Sequence, residues 1–365
     1  MSSGALDETP SVRRDNNFDA LRLVAASAVI FSHSFLIAEG TEAHEPLILL
    51  TGRQSILGLT GVFVFFAISG FLVTQSFETS GSPLAYLAKR ALRIFPGLFA
   101  MLVVSAFVIG PLVTTLPLAE YLTDAKVYGY VVGNTLLNLT VHELPGVLFV
   151  DNPVGLEING SLWTLRYEFM MYMMVMMLGI AGLLELKALL PLLALGLACQ
   201  QLAGLAFLDT WGWLLAFFAV GMVLYRLRDT RIFDGRVALA ALAGLMLSVP
   251  LRQFIQLFAL FGGYLAIYLA LDRRLPAIPA TRFGDLSYGL YIYGWPVEAM
   301  VMHASGGKAT WWQVFLISLP LAALVAWLSW HLVEAPMLRL KPRRAAAAPW
   351  PYRRYRLWPQ AQRSP

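Results

Sequence analysis

Length, composition and charge exclude an ordinary soluble domain: of 365 residues, 58% are hydrophobic and only 13% charged, and the mean hydropathy is +0.65, far from what a water-facing surface provides. In such a chain the formal net charge of +5 describes a basic membrane face rather than a nucleic-acid partner. The lone cysteine, Cys199, excludes an intramolecular disulfide, a CxxC redox pair and a thiolate metal cluster, and no metal site is expected.

A bilayer core about 30 Å thick requires roughly 20 apolar residues of helix. Runs of about that length lie near 18–38, 56–77, 94–115, 161–184, 188–207, 211–228, 237–251, 254–271, 284–303 and 310–334, the seventh being the shortest. Backbone amides in hydrocarbon must be satisfied within the segment, so the expectation is an all-α polytopic membrane protein with a bundle of about ten transmembrane helices. Three regions follow: an N-terminal tail 1–17, a transmembrane domain 18–340 and a basic C-terminal tail 341–365. The first residues, MSSGALDETPSVRRDNN, are too long and too acidic for the n-region of a signal peptide and read as a short cytoplasmic tail.

Basic residues collect in cytoplasmic loops. With both termini inside, those loops and tails receive Arg13, Arg14, Lys89, Arg90, Arg226, Arg228, Arg231, Arg236, Arg273, Arg274, Arg282 and the tail KPRRAAAAPWPYRRYRLW. The outer loops keep Arg53, Lys126, Arg252 and Lys308. The outer segment 116–160 is long and carries Glu120, Asp124, Glu143, Asp151 and Glu157, and loops of that length are commonly functional.

In the first run, FDALRLVAASAVIFSH, Arg22 and His33 are eleven residues apart. That is three helical turns with about 20° of drift, so both lie on one face about 16 Å apart. Arg22 stands near the inner end and His33 in the outer half, and ionisable groups at such depth mark a pathway or a site; snorkelling of Arg22 and a helix-to-helix hydrogen bond from His33 are the competing explanation. In the second run Ser69 and Gly70 fit close helix packing, the glycine by letting backbones approach and the serine by bonding across the gap. KRALRIFPGLF places Arg90 and Arg93 at i, i+3 beside Lys89, which anchors the inner side and also offers a cradle for phosphate. The fourth run opens NGSLWTLRYEFMMY and puts Ser161, Glu168 and Tyr172 on one face, with Trp163 at its start. Entering from outside, Glu168 reaches a depth comparable to His33, its expected partner. In FGDLSYGLYIYGWPVEAM, Tyr288, Tyr291, Trp295 and Glu298 form an aromatic stripe ending in a carboxylate, and an interfacial aromatic belt does not account for Glu298.

With these segments in this order, the chain resembles the integral-membrane acyltransferase-3 family of bacterial acyl-CoA-dependent O-acyltransferases of surface glycans. The resemblance rests on a basic residue, ten residues and a histidine in the first run (Arg22, His33), on Ser69 to Leu72, on Arg90 and Arg93, on SLWTLRYEFMMY with Glu168, and on SYGLYIYGWPV. Gly294 stands where many relatives have a histidine. Some relatives append a soluble esterase-like domain after the last span; here acceptor chemistry falls to the membrane part or to an extracytoplasmic partner protein.

The resemblance implies transfer of an acyl group, usually acetyl, from cytoplasmic acyl-CoA to a hydroxyl of a sugar or glycolipid at the outer face of the cell (inner) membrane. On that reading Arg90, Arg93, Lys89 and Arg22 hold the CoA end. His33 acts as base on the acceptor or as transient acyl carrier, and Glu168 orients its imidazole. Ser69, Trp163, Tyr172, Tyr291, Trp295 and Glu298 line the acceptor cleft. Two other readings stay open: a transporter or flippase of a lipid-linked glycan that uses the same charges as a relay, for which no inverted repeat is visible, and a non-catalytic binding subunit.

Overall fold

The computed structural model describes residues 16–138, 143–147, 149, 153, 157–201 and 206–342. Among the described residues each of the ten apolar runs contains a helix: α1 Phe18–Glu39, α2 Leu57–Thr79, α3 Pro83–Val113, α4 Trp163–Ile180, α5 Leu186–Cys199, α6 Ala206–Leu227, α7 Gly235–Ser248, α8 Phe254–Leu271, α9 Leu286–Ala304 and α10 Trp311–Leu338. Five of them, α1, α2, α3, α8 and α10, are long and apolar enough to cross a membrane. The outward residues of several helices, among them Val24, Phe99, Leu112, Leu239, Met246 and Leu332, are exposed and apolar, which is the surface of a helical membrane protein. Asp151 and nearly all of the C-terminal tail lie outside the described residues.

Two departures from the sequence expectation have a local reason. α3 begins eleven residues before position 94, because Ser82 caps it through Oγ, which accepts from the Ala85 amide at 3.1 Å, and Pro83 follows at the first helical position. The apolar run alone marks only the part of this helix that carries no charge. The segment 116–160 contains two further helices, Leu118–Thr123 and Ala125–Thr135. Tyr121 Oη from the first of them donates to the carbonyl of Ala106 at 2.7 Å, inside the π-helical turn Ser105–Ile109 of α3, where a carbonyl released from the i−4 ladder needs another donor.

Small residues set the spacing of the bundle. A Cβ added at Gly70 would lie 2.0 Å from the Phe218 carbonyl oxygen, and one at Gly221 would lie 2.0 Å from that of Ala67, so α2 and α6 meet backbone to backbone. α1 and α2 approach in the same way at Gly58, whose Cβ would meet Ser32; there the serine hydroxyl accepts from the Gly58 amide at 2.7 Å. Gly294 of α9 faces Ile30 of α1, where a larger residue would push those two helices apart. Gly70→Ala is therefore expected to destabilise the bundle by about 2–3 kcal/mol, because the obstructing atom is backbone and cannot swing away. A thermal melt of the purified variant in detergent checks this, with Gly81→Ala, where a Cβ meets nothing within 4 Å, as the silent control.

Candidate functional site

At one end of α1, Arg22 joins a half-buried ionic network in which Glu334 is the buried member. Arg93 of α3 places Nη2 2.6 Å from Asp285 Oδ2, Arg22 Nη1 lies 3.5 Å from the same oxygen, and Arg93 Nη1 is 3.8 Å from Glu334 Oε2. Asp285 stands immediately before α9 and takes a further hydrogen bond from Ser287 Oγ at 2.7 Å. Glu334 closes the π-helical turn Trp330–Glu334 within α10 and accepts from Ser329 at 3.1 Å. The Arg93 guanidinium also sits 5.6 Å over the ring of Tyr288, whose hydroxyl donates to the Ile94 carbonyl at 2.8 Å.

Arg90 takes a different course, so the pair at i, i+3 does not form one cradle. Its guanidinium stands 5.7 Å over the Tyr172 ring, its buried Nε has no hydrogen-bond partner, and among the described residues no carboxylate forms an ion pair with it. Lys89 donates to Ser80 Oγ at 3.1 Å. Arg93 is committed to carboxylates, while Arg90 keeps donors for an anion that the chain itself does not supply.

Above this network lies a narrow internal cavity of about 40 Å³, bounded by Arg22, Arg93, Ser69, Glu168, Tyr172 and Tyr291, with room for one or two waters. Glu168 Oε1 accepts from Tyr172 Oη at 2.5 Å and lies 3.4 Å from Ser69 Oγ. Tyr291 Oη donates to the Ser161 carbonyl at 2.7 Å, so the 2.6 Å contact with Thr164 has the threonine as donor.

Three turns along α1 is a second polar cluster. His33 Nδ1 lies 3.6 Å from Glu298 Oε2, with Glu298 fully buried, and neither atom has a hydrogen-bond partner. The other carboxylate oxygen is held by Ser34 Oγ at 2.7 Å. Trp295 meets the imidazole edge to face, with ring centroids 4.8 Å apart, and its indole N–H donates to the Glu157 carbonyl at 3.2 Å. Trp295 and Glu298, at i, i+3 on α9, thus share one face toward His33.

This corrects the expected pairing: the carboxylate beside His33 is Glu298, and Glu168 belongs to the arginine end. The cause is the path of the chain before α4. Residues 157–161 descend along α9, with Glu157 bonded to Trp295, Asn159 Nδ2 donating to the Ile292 carbonyl at 2.7 Å and Ser161 bonded to Tyr291. Asn159 then caps the 3₁₀ turn Gly160–Leu162, and α4 starts inside the bundle, so Glu168 arrives level with Arg22. Trp163, expected in the acceptor cleft, packs against Tyr167 at 6.2 Å between centroids and does not line the cavity. Asp285, Glu334 and Ser34 were missed; an Asp-x-Ser sequence opening a helix is the one readable sign of the first, and a buried arginine's need for counter-charge the sign of the second.

Residues 15–331 match the family described as an acyltransferase domain, acyltransferase 3. The chain is 26% identical over 344 residues to an O-acetyl transferase of Shigella phage Sf6, covering 90% of this chain and 97% of that one. It is 30% identical over 370 residues to nodulation protein 10 of Rhizobium leguminosarum bv. viciae, covering 89% and 94%. No solved structure matches it.

Proposed function

Because this chain belongs to the acyltransferase-3 family and is an acyltransferase, we propose that it moves an acyl group, acetyl in the first instance, from cytoplasmic acyl-CoA to a hydroxyl of a sugar or glycolipid at the extracytoplasmic face. The observation that carries this reading is the pairing of His33 with buried Glu298 inside the bundle. An imidazole whose Nδ1 faces a carboxylate held by a third group is oriented as a general base. His33 Nε2 takes the proton of the acceptor hydroxyl as its oxygen bonds to the thioester carbonyl carbon. The carbon–sulfur bond then breaks, and the imidazolium returns the proton to the departing thiolate, giving an ester and free CoA. Glu298 offsets the positive charge on the imidazolium while it lasts. The name of the phage relative supports acetyl as the group transferred.

At the other end Arg90, with its unpaired buried Nε, meets CoA phosphate. Arg22 and Arg93, with Asp285 and Glu334, keep the inner mouth in shape. The donor's flexible pantetheine arm spans the about 16 Å between Arg22 and His33 by displacing side chains of the narrow cavity, whose walls include Ser69, Glu168, Tyr172 and Tyr291. Arg90→Ala is expected to raise KM for acyl-CoA about tenfold or more and to leave kcat nearly unchanged, since a phosphate contact remote from the reacting carbon contributes equally to ground and transition states. Kinetics with labelled acyl-CoA and the purified chain test it; an unchanged KM removes Arg90 from the donor site.

Ten crossings with both termini inside follow from the same reading. Asn17 donates through its backbone to the Ala270 carbonyl at 2.9 Å and through Nδ2 to Pro276 at 3.3 Å, which sets the start of α1 beside the basic segment holding Arg273 and Arg274. A cysteine introduced at exposed position 120, with Cys199 replaced by serine, is expected to react with a membrane-impermeant maleimide in intact cells. Labelling only after permeabilisation would invert the orientation.

A further inference from the structure

Glu168 and Arg166 lie two residues apart on α4 and therefore on opposite sides of it, about 200° around the helix. Glu168 looks into the cavity. Arg166 is exposed and opens into a separate groove of about 350 Å³ between α3, α4 and the end of the helix Ala125–Thr135. Its other lining residues are Phe95, Leu136, Leu137, Asn138, Phe169 and Met170, five of them apolar. Phe95 and Phe169 meet edge to face at 5.4 Å.

We propose that this groove seats the phosphate headgroup of a membrane lipid on Arg166, with its acyl chains against the apolar walls. Arg166 lies only two residues from Thr164, which bonds Tyr291 of α9 in the interior, so it stands at the depth of the bundle cavity and not in a loop. Among the described residues no carboxylate forms an ion pair with it. An arginine at such depth is costly without an anion, and a phosphate suits its planar fork. The surface into which the groove opens, with Phe99, Val132 and Leu136 exposed, is the surface that faces lipid. A lipid phosphate matches both the charge and the walls, whereas free phosphate matches only the charge. The proposal does not depend on the acyl-transfer reading.

The test uses the full chain, purified in detergent and stripped of endogenous lipid, with native mass spectrometry counting retained lipid. Phosphatidic acid and a diacylglycerol with the same chains are compared, so that the phosphate is the sole difference. The wild-type chain is expected to retain phosphatidic acid about tenfold more than diacylglycerol, the scale of a charge-assisted hydrogen bond. Arg166→Gln should erase that preference and Arg166→Lys should keep most of it. Leu136→Trp, which fills the groove but leaves the arginine, should lower retention of both lipids and serves if Arg166→Gln does not fold. Equal preference in the wild type and Arg166→Gln, unchanged retention in Leu136→Trp, or displacement of phosphatidic acid by millimolar inorganic phosphate would each overturn the proposal.

Discussion

His33→Ala is expected to lower acyl transfer by about a hundredfold or more while the protein still folds, the scale of a lost general base. Its ring makes one edge-to-face contact with Trp295 and no hydrogen bond at Nδ1, so little packing is lost with it. Glu298→Gln is expected to reduce the rate substantially as well. The amide retains a carbonyl oxygen for Ser34, but the charge that compensates the imidazolium is gone. Comparison of turnover with the thermal midpoint for each variant separates chemistry from stability: a variant that melts early but keeps normal specific activity would show His33 to be a packing residue.

Arg93→Ala is expected to act on stability above all, by about 3 kcal/mol, because it leaves buried Glu334 without an ion-pair partner and half-buried Asp285 with Arg22 alone at 3.5 Å. Expression and thermal midpoint should both fall, in contrast to Arg90→Ala. A second substitution, Glu334→Gln, removes the stranded charge and should recover part of the loss, since Ser329 can still donate to the amide oxygen. If Arg93→Ala melts like the wild type and only its KM for acyl-CoA rises, the guanidinium serves the donor rather than the bundle.

The helices are legible because burial in hydrocarbon demands long apolar runs: among the described residues each of the ten runs contains a helix, and five of these helices are long and apolar enough to cross a membrane. What the runs could not give was depth. Counting inward from the outer surface puts Glu168 level with His33 only if α4 starts at that surface, whereas residues 157–161 already descend along α9 before the helix begins. That descent depends on tertiary hydrogen bonds from Tyr291, Trp295 and Asn159, and no periodicity reports those. The spacing of Arg90 and Arg93 correctly implied one helix face, yet a 60° difference was enough to send one guanidinium to Tyr172 and the other to Asp285. Glu298, which an aromatic belt does not explain, is the residue that stands beside His33. Asp285 and Glu334 carry no such signal, because each sits at the margin of an apolar run, where a charge is ordinary.

In the proposed chemistry His33 and Glu298 act as a unit, apart from Glu168. Initial rates of transfer from labelled acetyl-CoA to an acceptor glycolipid, measured for His33→Ala, Glu298→Gln, Glu168→Gln and the two double variants that contain His33→Ala, test it most directly. Residues that act as a unit give overlapping losses and independent ones give multiplicative losses. The expected result is that adding Glu298→Gln to His33→Ala lowers the rate little further, whereas adding Glu168→Gln lowers it by the full factor that Glu168→Gln shows alone. Multiplicative losses for His33 with Glu298, or overlapping losses for His33 with Glu168, would show that Glu298 is not the partner of His33.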